Sequence, residues 1–225
     1  MKRTPTYAYD TDVVMDDGSP PIRTTVTNSG DAVKRYLREV RAHGRRLTVG
    51  LDTEWRVVHG EAGRANRMAV LQLCVGRRCL VFQIARADYV PAALRAFLAC
   101  PDHSFAGVAV GNDVERLHVD CGIAVAGAVD LRHVAAEVLA RPELRGAGLK
   151  TLAREVMGAH VDKEERVTRS RWDRPLSTEQ VRYASIDAFV SYEVGRLLLL
   201  RAGGAAAAGD GASATLSQFV SFELP

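Results

Sequence analysis

Apolar positions fall into short alternating runs in the first half of the chain and into helical spacing in the second. IRTTVTN at 22–28 is β-branched, and LTVGLDTEW at 47–55 sets Leu47, Val49 and Leu51 on one face, so both predict strands. MAVLQLCV and CLVFQI predict two more strands, joined into a hairpin by the short turn Gly76–Arg77–Arg78. Ser29 or Asp31 caps a helix running to about Ala42. Helical spacing returns at about 90–99, 112–119, 130–140 and 149–157, and the short strand SFAGVAV lies between the first two. STEQ at 177–180 is a capping box, with Ser177 as N-cap and Gln180 at N3, opening a helix that runs to about Leu200. Early strands followed by helices predict an α/β fold with a central mixed β-sheet flanked by helices, and the hairpin excludes a purely parallel sheet.

The remaining segments lack such a pattern. N-terminal strands start at about residue 7, and DTDVVMDDGSPP reads as a local acidic turn or loop. VHGEAGRANR is a polar, glycine-containing connection between two strands. Residues 1–200 form a single domain, and 201–225 a flexible Gly/Ala-rich tail. Its end, SQFVSFELP, reads as a plain terminus, with a short docking peptide as the alternative.

Composition narrows the class. In 225 residues, 47% apolar content suffices for one core, but aromatic residues are only 6%, so Val, Leu and Ala must build most of it. The net charge of +3 tolerates a polyanionic partner. Cys74, Cys79, Cys100 and Cys121 lack CxxC spacing and adjoin apolar segments, which predicts buried thiols in a reducing compartment rather than disulfides. No secretory h-region or membrane-length apolar run occurs. A soluble protein of the nucleus, or alternatively the cytoplasm, is expected, with no membrane partner.

The candidate chemistry lies in four acids and one tyrosine. Asp52 and Glu54 are i and i+2 on a strand, so they share the face opposite Leu47, Val49 and Leu51. Two crowded carboxylates repel, and a bound cation relieves that conflict; hard oxygen donors suit Mg²⁺ or Mn²⁺. Tyr183 and Asp187 are i and i+4 on the capped helix and lie one turn apart on one face. Asp113 falls in the first turn of a helix that Asn112 caps, where dipole stabilisation alone also accounts for an acid. Together the five residues can converge on one sheet edge, where two cations would clamp the attacking water and the leaving oxygen of a phosphodiester.

LDTEW, FAGVAVGNDVERL and YASIDAF resemble the three exonuclease motifs of the DEDD superfamily, and Tyr183, four residues before the last acid, resembles its DEDDy branch. IRTTVTN, AVLQLCVG, GLKTLAREVMG and SRWDRPLSTEQVRYASIDAF extend the likeness over roughly 7–200 to exonucleases related to the Werner syndrome exonuclease domain, especially their plant members. The resemblance implies a ribonuclease H-like fold and a metal-dependent 3′–5′ exonuclease that releases nucleoside 5′-monophosphates. It implies two ions, Mg²⁺ or Mn²⁺, with Asp52 on both, Glu54 and Asp187 beside the attacking water, and Asp113 supporting the second. Tyr183 would orient that water, since an ordinary phenol pKa of about 10 suits positioning better than simple base action.

Substrate contacts are expected at the Thr53 backbone and at Trp55, which either stacks on a base or packs beneath the site. The segment KEERVTRSRWDR at 163–174 holds five basic and three acidic residues. There Arg169, Arg171 and Arg174 could meet phosphates, and Trp172 either stacks on a base or anchors the loop. The expected substrate is DNA with single-stranded or recessed 3′ ends, delivered by a helicase or repair protein. A 3′–5′ exoribonuclease of the RNase D type is the alternative, disfavoured because the Gly/Ala tail leaves no room for a helical nucleic-acid-binding domain. A non-catalytic module that binds nucleic-acid ends is a further alternative.

Overall fold

A computed structural model describes residues 5–60, 63–162 and 165–207. Among these, the strands are β1 (Ala8–Val13), β2 (Ile22–Thr27), β3 (Thr48–Gly60), β4 (Gly63–Val75), β5 (Arg78–Phe82), β6 (Ser104–Gly107) and β7 (Ala128–Asp130). They form one mixed sheet in the order β1-β2-β5-β4-β3-β6-β7. Parallel pairing of β2 with β5, of β3 with β6 and of β6 with β7, plus the antiparallel β3–β4 and β4–β5 pairs, makes β2, β5, β3, β6 and β7 point the same way. Their C-terminal ends therefore share one edge, where sheets of this kind build their sites.

Helices cover both faces. On one side lie α1 (Gly30–Arg41), α2 (Ala92–Leu98) and α3 (Val110–Cys121), packed through Val33, Leu37, Phe97 and Leu117 onto Val49, Leu51, Leu73 and Phe105. On the other lie α4 (Leu131–Val138), α5 (Leu149–Leu152) and α7 (Thr178–Ala207), packed onto Ile22, Val26, Val81 and Val129. The short α6 (Glu165–Thr168) precedes α7. The predicted alternation on β3 holds, with Val49 and Leu51 in the first core. The capping box is reciprocal: the Ser177 amide donates to Gln180 Oε1 at 2.9 Å, and the Gln180 amide to Ser177 Oγ at 3.3 Å.

Several expectations are corrected. Residues 10–13, read as part of an acidic loop, lie in β1, an edge strand antiparallel to β2. Residues 58–60 and 63–67 of the polar stretch after Trp55 are strand as well. β6 pairs with β3 only at Thr48–Gly50, whereas β3 and β4 stay paired out to Gly60 and Gly63, so a two-stranded ribbon extends beyond β6. Such a ribbon has no second sheet face to impose alternation on its sequence. Helix α7 continues through the start of the expected tail to Ala207; residues 208–225, including SQFVSFELP, lie outside the described residues.

Cys74 and Cys79, expected as thiols, are disulfide-bonded, while Cys100 and Cys121 are free. The hairpin itself explains this pairing, because its register sets Cys74 directly opposite Cys79. No helix among the described residues is long and apolar enough to cross a membrane.

Candidate active site

The site is assembled where β3 leaves the sheet. Gly50 is the last β3 residue paired with β6, and Asp52 and Glu54 follow on the same face. A register shift between Glu54 and Trp55 places Met68 opposite Trp55 and skips Ala69, a bulge of the kind that re-aims side chains beside active sites. Helix α7 crosses this face in close contact. A Cβ at Gly50 would lie 2.0 Å from the Ala188 carbonyl oxygen and 2.6 Å from the Tyr192 nitrogen. The missing side chain at Gly50 thus sets Asp187, the residue before Ala188, next to the strand that carries Asp52 and Glu54.

Asp113 arrives from the other side of β3. Ala109 takes a left-handed conformation (φ 55°) and serves as N-cap, so α3 starts at Val110 and Asn112 lies inside it rather than capping it. Such a non-glycine conformation costs about 1–3 kcal/mol and tends to persist where the surroundings fix it, often at active sites. Asp113 then meets Thr53, whose Oγ1 donates to Asp113 Oδ1 in a short contact. Thr53 Oγ1 in turn accepts from Trp55 Nε1 at 2.8 Å, and the Arg116 guanidinium lies 5.4 Å from the Trp55 ring centroid. The Thr53 amide donates to Asp52 Oδ1 at 2.9 Å. Thr53, expected as a backbone contact for substrate, therefore ties Asp52 to Asp113.

Glu54, Asp113 and Asp187 are buried, with 8%, 7% and 2% exposure, and Asp52 is half-buried. Burial pushes the Asp113 carboxyl up to about 7; the Thr53 hydrogen bond works against this and the nearby Asp130 charge adds to it. Asp130 escaped the sequence reading, which placed it inside a helix. It ends β7 and caps α4, accepting from the Arg132 amide at 3.0 Å. Burial would raise its pKa, but the hydrogen bonds and charge of Arg132 outweigh that and hold it below the usual range. The sequence signal was an acid directly after the apolar pair Ala128–Val129, with an arginine two residues on.

Tyr183 and Asp187 open onto a cleft of about 210 Å³, also lined by Asp162, Val167, Arg182 and Ile186. Thr168 Oγ1 donates to the Tyr183 hydroxyl at 3.1 Å, and the Trp172 ring centroid lies 6.0 Å from that of Tyr183. Trp172 is fully buried and donates from Nε1 to the Thr168 carbonyl at 3.2 Å. Its ring has no exposed face to offer a base, which favours the anchoring of the loop over stacking. Arg171 is exposed but paired with Asp173 at 3.0 Å, and Arg169 is paired with Glu165 at 3.3 Å. Among the described residues, no three His, Cys, Asp or Glu side chains form a group that could hold a metal ion. The fold brings the elements bearing the four carboxylates to one edge, with Asp113 on the Thr53 side of β3 and Asp52 and Glu54 on the α7 side.

Residues 24–200 match the family described as 3′–5′ exonuclease. The chain is 30% identical over 180 residues to exonuclease 3′-5′ domain-containing protein 2 of Drosophila melanogaster, covering 78% of this chain and 30% of that protein. It is 26% identical over 152 residues to a 3′-5′ exonuclease of Arabidopsis thaliana, covering 67% and 52%. The chain thus spans about half or less of the length of these relatives. Among solved structures, it is similar to Escherichia coli RNase D, with a TM-score of 0.65 and 23% identity over 80% of this chain and 45% of that one. It is also similar to the Aedes aegypti Nibbler EXO domain, with a TM-score of 0.64 and 20% identity over 78% and 87%. These likenesses establish the ribonuclease H-like fold, and with the match across 24–200 the chain belongs to the 3′–5′ exonuclease family.

Proposed function

We propose that this chain is a two-metal exonuclease of the DEDDy type that removes nucleoside 5′-monophosphates from the 3′ end of DNA. The observation that carries the reading is the approach of α7 to β3 at Gly50, which brings the Asp187 turn, with Tyr183 one turn before it, onto the face of Asp52 and Glu54. The donor set suits Mg²⁺ or Mn²⁺, since it consists of hard carboxylate oxygens, most of them buried. Asp52, Glu54 and Asp187 would hold one ion, and Asp52 with Asp113 the other. When bound, the ions supply charge neutralisation at the phosphate and activation of the attacking water.

The chain's own residues do the rest. Thr53 fixes the relative placement of Asp52 and Asp113 through its amide and hydroxyl. Trp172 and Thr168 hold the Tyr183 ring and hydroxyl, so the phenol can orient a water beside Asp187. Trp55 spends its indole N–H on Thr53 and bears Arg116 near its ring, which supports a packing and positioning role for it. The likeness to Werner-type enzymes rests on the motif-bearing segments alone. In this reading a helicase or repair protein delivers the single-stranded or recessed end.

The test is a matched pair of DNA and RNA strands, labelled at the 5′ end and incubated with Mg²⁺ or Mn²⁺. A ladder shortening from the 3′ end is expected, faster on DNA. Faster shortening of RNA would select the exoribonuclease reading, and no ladder with either cation would overturn the enzyme altogether.

Asp113 makes a separate prediction. Its carboxyl is neutral below about 7, so cation binding there must expel a proton. Mn²⁺ affinity should rise with pH and level off above about 8, and calorimetry in buffers of different ionisation enthalpy should show proton release that fades over the same range. Without cation the sign for stability is opposite. The folded-state pKa is raised, so the contribution of Asp113 is fully present below about 4 and is lost as pH rises through about 7. A pH-independent Mn²⁺ affinity would remove Asp113 from the binding set.

A further inference from the structure

Positive charge is distributed unevenly over this surface. Several surface arginines are matched by an acid: Arg23 with Asp10, Arg67 with Asp120, Arg141 with Glu143, Arg166 with Glu179, Arg171 with Asp173 and Arg182 with Asp16. In the basic segment before α7, the obvious candidate from sequence, Arg166, Arg169 and Arg171 are each paired with an acid, Glu179, Glu165 and Asp173. By contrast, Arg35, Arg38 and Arg41 on α1, and Arg45 and Arg46 just after it, are all exposed, and no ion pair with a described acid involves any of them. The two α1 acids are already engaged, Asp31 with Lys34 at 2.7 Å and Glu39 with Arg78 at 2.7 Å.

Spacing turns these charges into a track. Arg35, Arg38 and Arg41 follow one another at i, i+3, so they form a stripe on one helix face. The stripe borders a groove of about 570 Å³ between α1 and α2, lined also by Lys34, Leu37 and Ala93. Arg41 is braced with its guanidinium 5.7 Å from the Phe97 ring centroid. Six residues of helix rise about 9 Å, and a nucleic-acid strand advances about 3.4 Å per phosphate, so three arginines match about three phosphates. Helix α1 starts after β2 at the edge that carries the catalytic acids and runs toward the start of β3, which leads the stripe away from the site.

We infer that the α1 stripe of Arg35, Arg38 and Arg41, continued by Arg45 and Arg46, is a second nucleic-acid site that grips the phosphate backbone of a strand away from its reacting end. The inference rests on the proposed function for the identity of the polyanion, and on charge and geometry for the site. It reads no sequence, because its contacts are charge contacts to phosphate. It favours long substrates over short ones and makes their binding strongly dependent on salt.

The experiment compares the full chain with the triple variant Arg35→Gln, Arg38→Gln, Arg41→Gln, and with Arg145→Gln as a surface control. Anisotropy of a labelled long single strand is followed across a salt series in EDTA, so that turnover plays no part. The slope of log affinity against log salt should fall by about 2 in the triple variant, since each phosphate contact on a single strand contributes about 0.7. Arg145→Gln should leave the slope unchanged. With cation added, shortening of a di- or trinucleotide should match the unaltered chain, while shortening of the long strand at low concentration slows in proportion to the lost affinity. An unchanged slope overturns the inference, as does capture by anionic phospholipid vesicles that depends on the stripe while nucleic-acid binding does not. Failure of the exonuclease reading looks different: no shortening by any form of the chain, with the salt slopes still reporting on the stripe.

Discussion

Asp52→Ala should reduce 3′ shortening by at least about 10³-fold, the equivalent of about 4 kcal/mol of lost transition-state stabilisation. Asp52 is the acid that the proposed arrangement uses twice, once with Glu54 and Asp187 and once with Asp113, so its loss affects both ion sites together. It is half-buried and accepts the Thr53 amide, so a companion Asp52→Asn variant retains shape and that hydrogen bond while losing the charge. Both variants should melt near the unaltered chain without cation but lose the stabilisation that Mn²⁺ gives it. Tyr183→Phe supplies the contrast, because a residue that only orients water costs less, about 10–100-fold, and leaves Mn²⁺ binding intact. If Asp52→Asn turned over like the unaltered chain, the metal assignment would fail; equal losses of metal binding in Asp52→Asn and Tyr183→Phe would mean a general collapse of the site.

The acids were legible because their positions obey local rules: period two places Asp52 with Glu54, and period 3.6 places Tyr183 with Asp187. What joins the two pairs was not legible. Gly50 looks like any glycine in a strand, and only the packed helix shows that its missing Cβ is the condition for the site. The Thr53 bridge escaped for a similar reason, since its partner Asp113 is 60 residues away and reaches it through the left-handed turn at Ala109. Trp172 was ambiguous because aromatic residues beside arginines suit both a base and a core, and burial decides for the core. The β3–β4 ribbon was missed because its polar sequence lacks the apolar alternation by which strands are recognised, and β1 was only half legible: strands were expected from about residue 7, but its acidic residues 10–13 read as loop. The disulfide shows the opposite case: the hairpin turn was found, and its register alone would have paired Cys74 with Cys79.

Gly50→Ala should therefore be among the most damaging single-methyl changes in the chain. The new Cβ would stand 2.0 Å from the Ala188 carbonyl oxygen and 2.6 Å from the Tyr192 nitrogen, both helix backbone, so no side chain can rotate aside to make room. Helix α7 must retreat from β3 by about 1 Å or more, and overpacking of this kind costs about 1–3 kcal/mol. The retreat carries Asp187 away from Asp52 and Glu54, and a displacement of about 1 Å at a reacting centre can cost about 10²-fold in rate. Gly195→Ala is the matched control on the same helix. Its Cβ would meet the Ala106 Cβ at 3.2 Å, a tight contact that needs a shift of only a few tenths of an ångström, and Leu131 Cδ2 and Thr48 Cγ2 at 3.5 Å, ordinary van der Waals contacts. Replacing a mid-helix glycine also returns up to about 1 kcal/mol of helix propensity, so this variant should melt near the unaltered chain and keep its activity. A Gly50→Ala protein with unaltered melting temperature and rate would show that α7 does not lie against β3 as described, and with that the placement of Asp187 would fall.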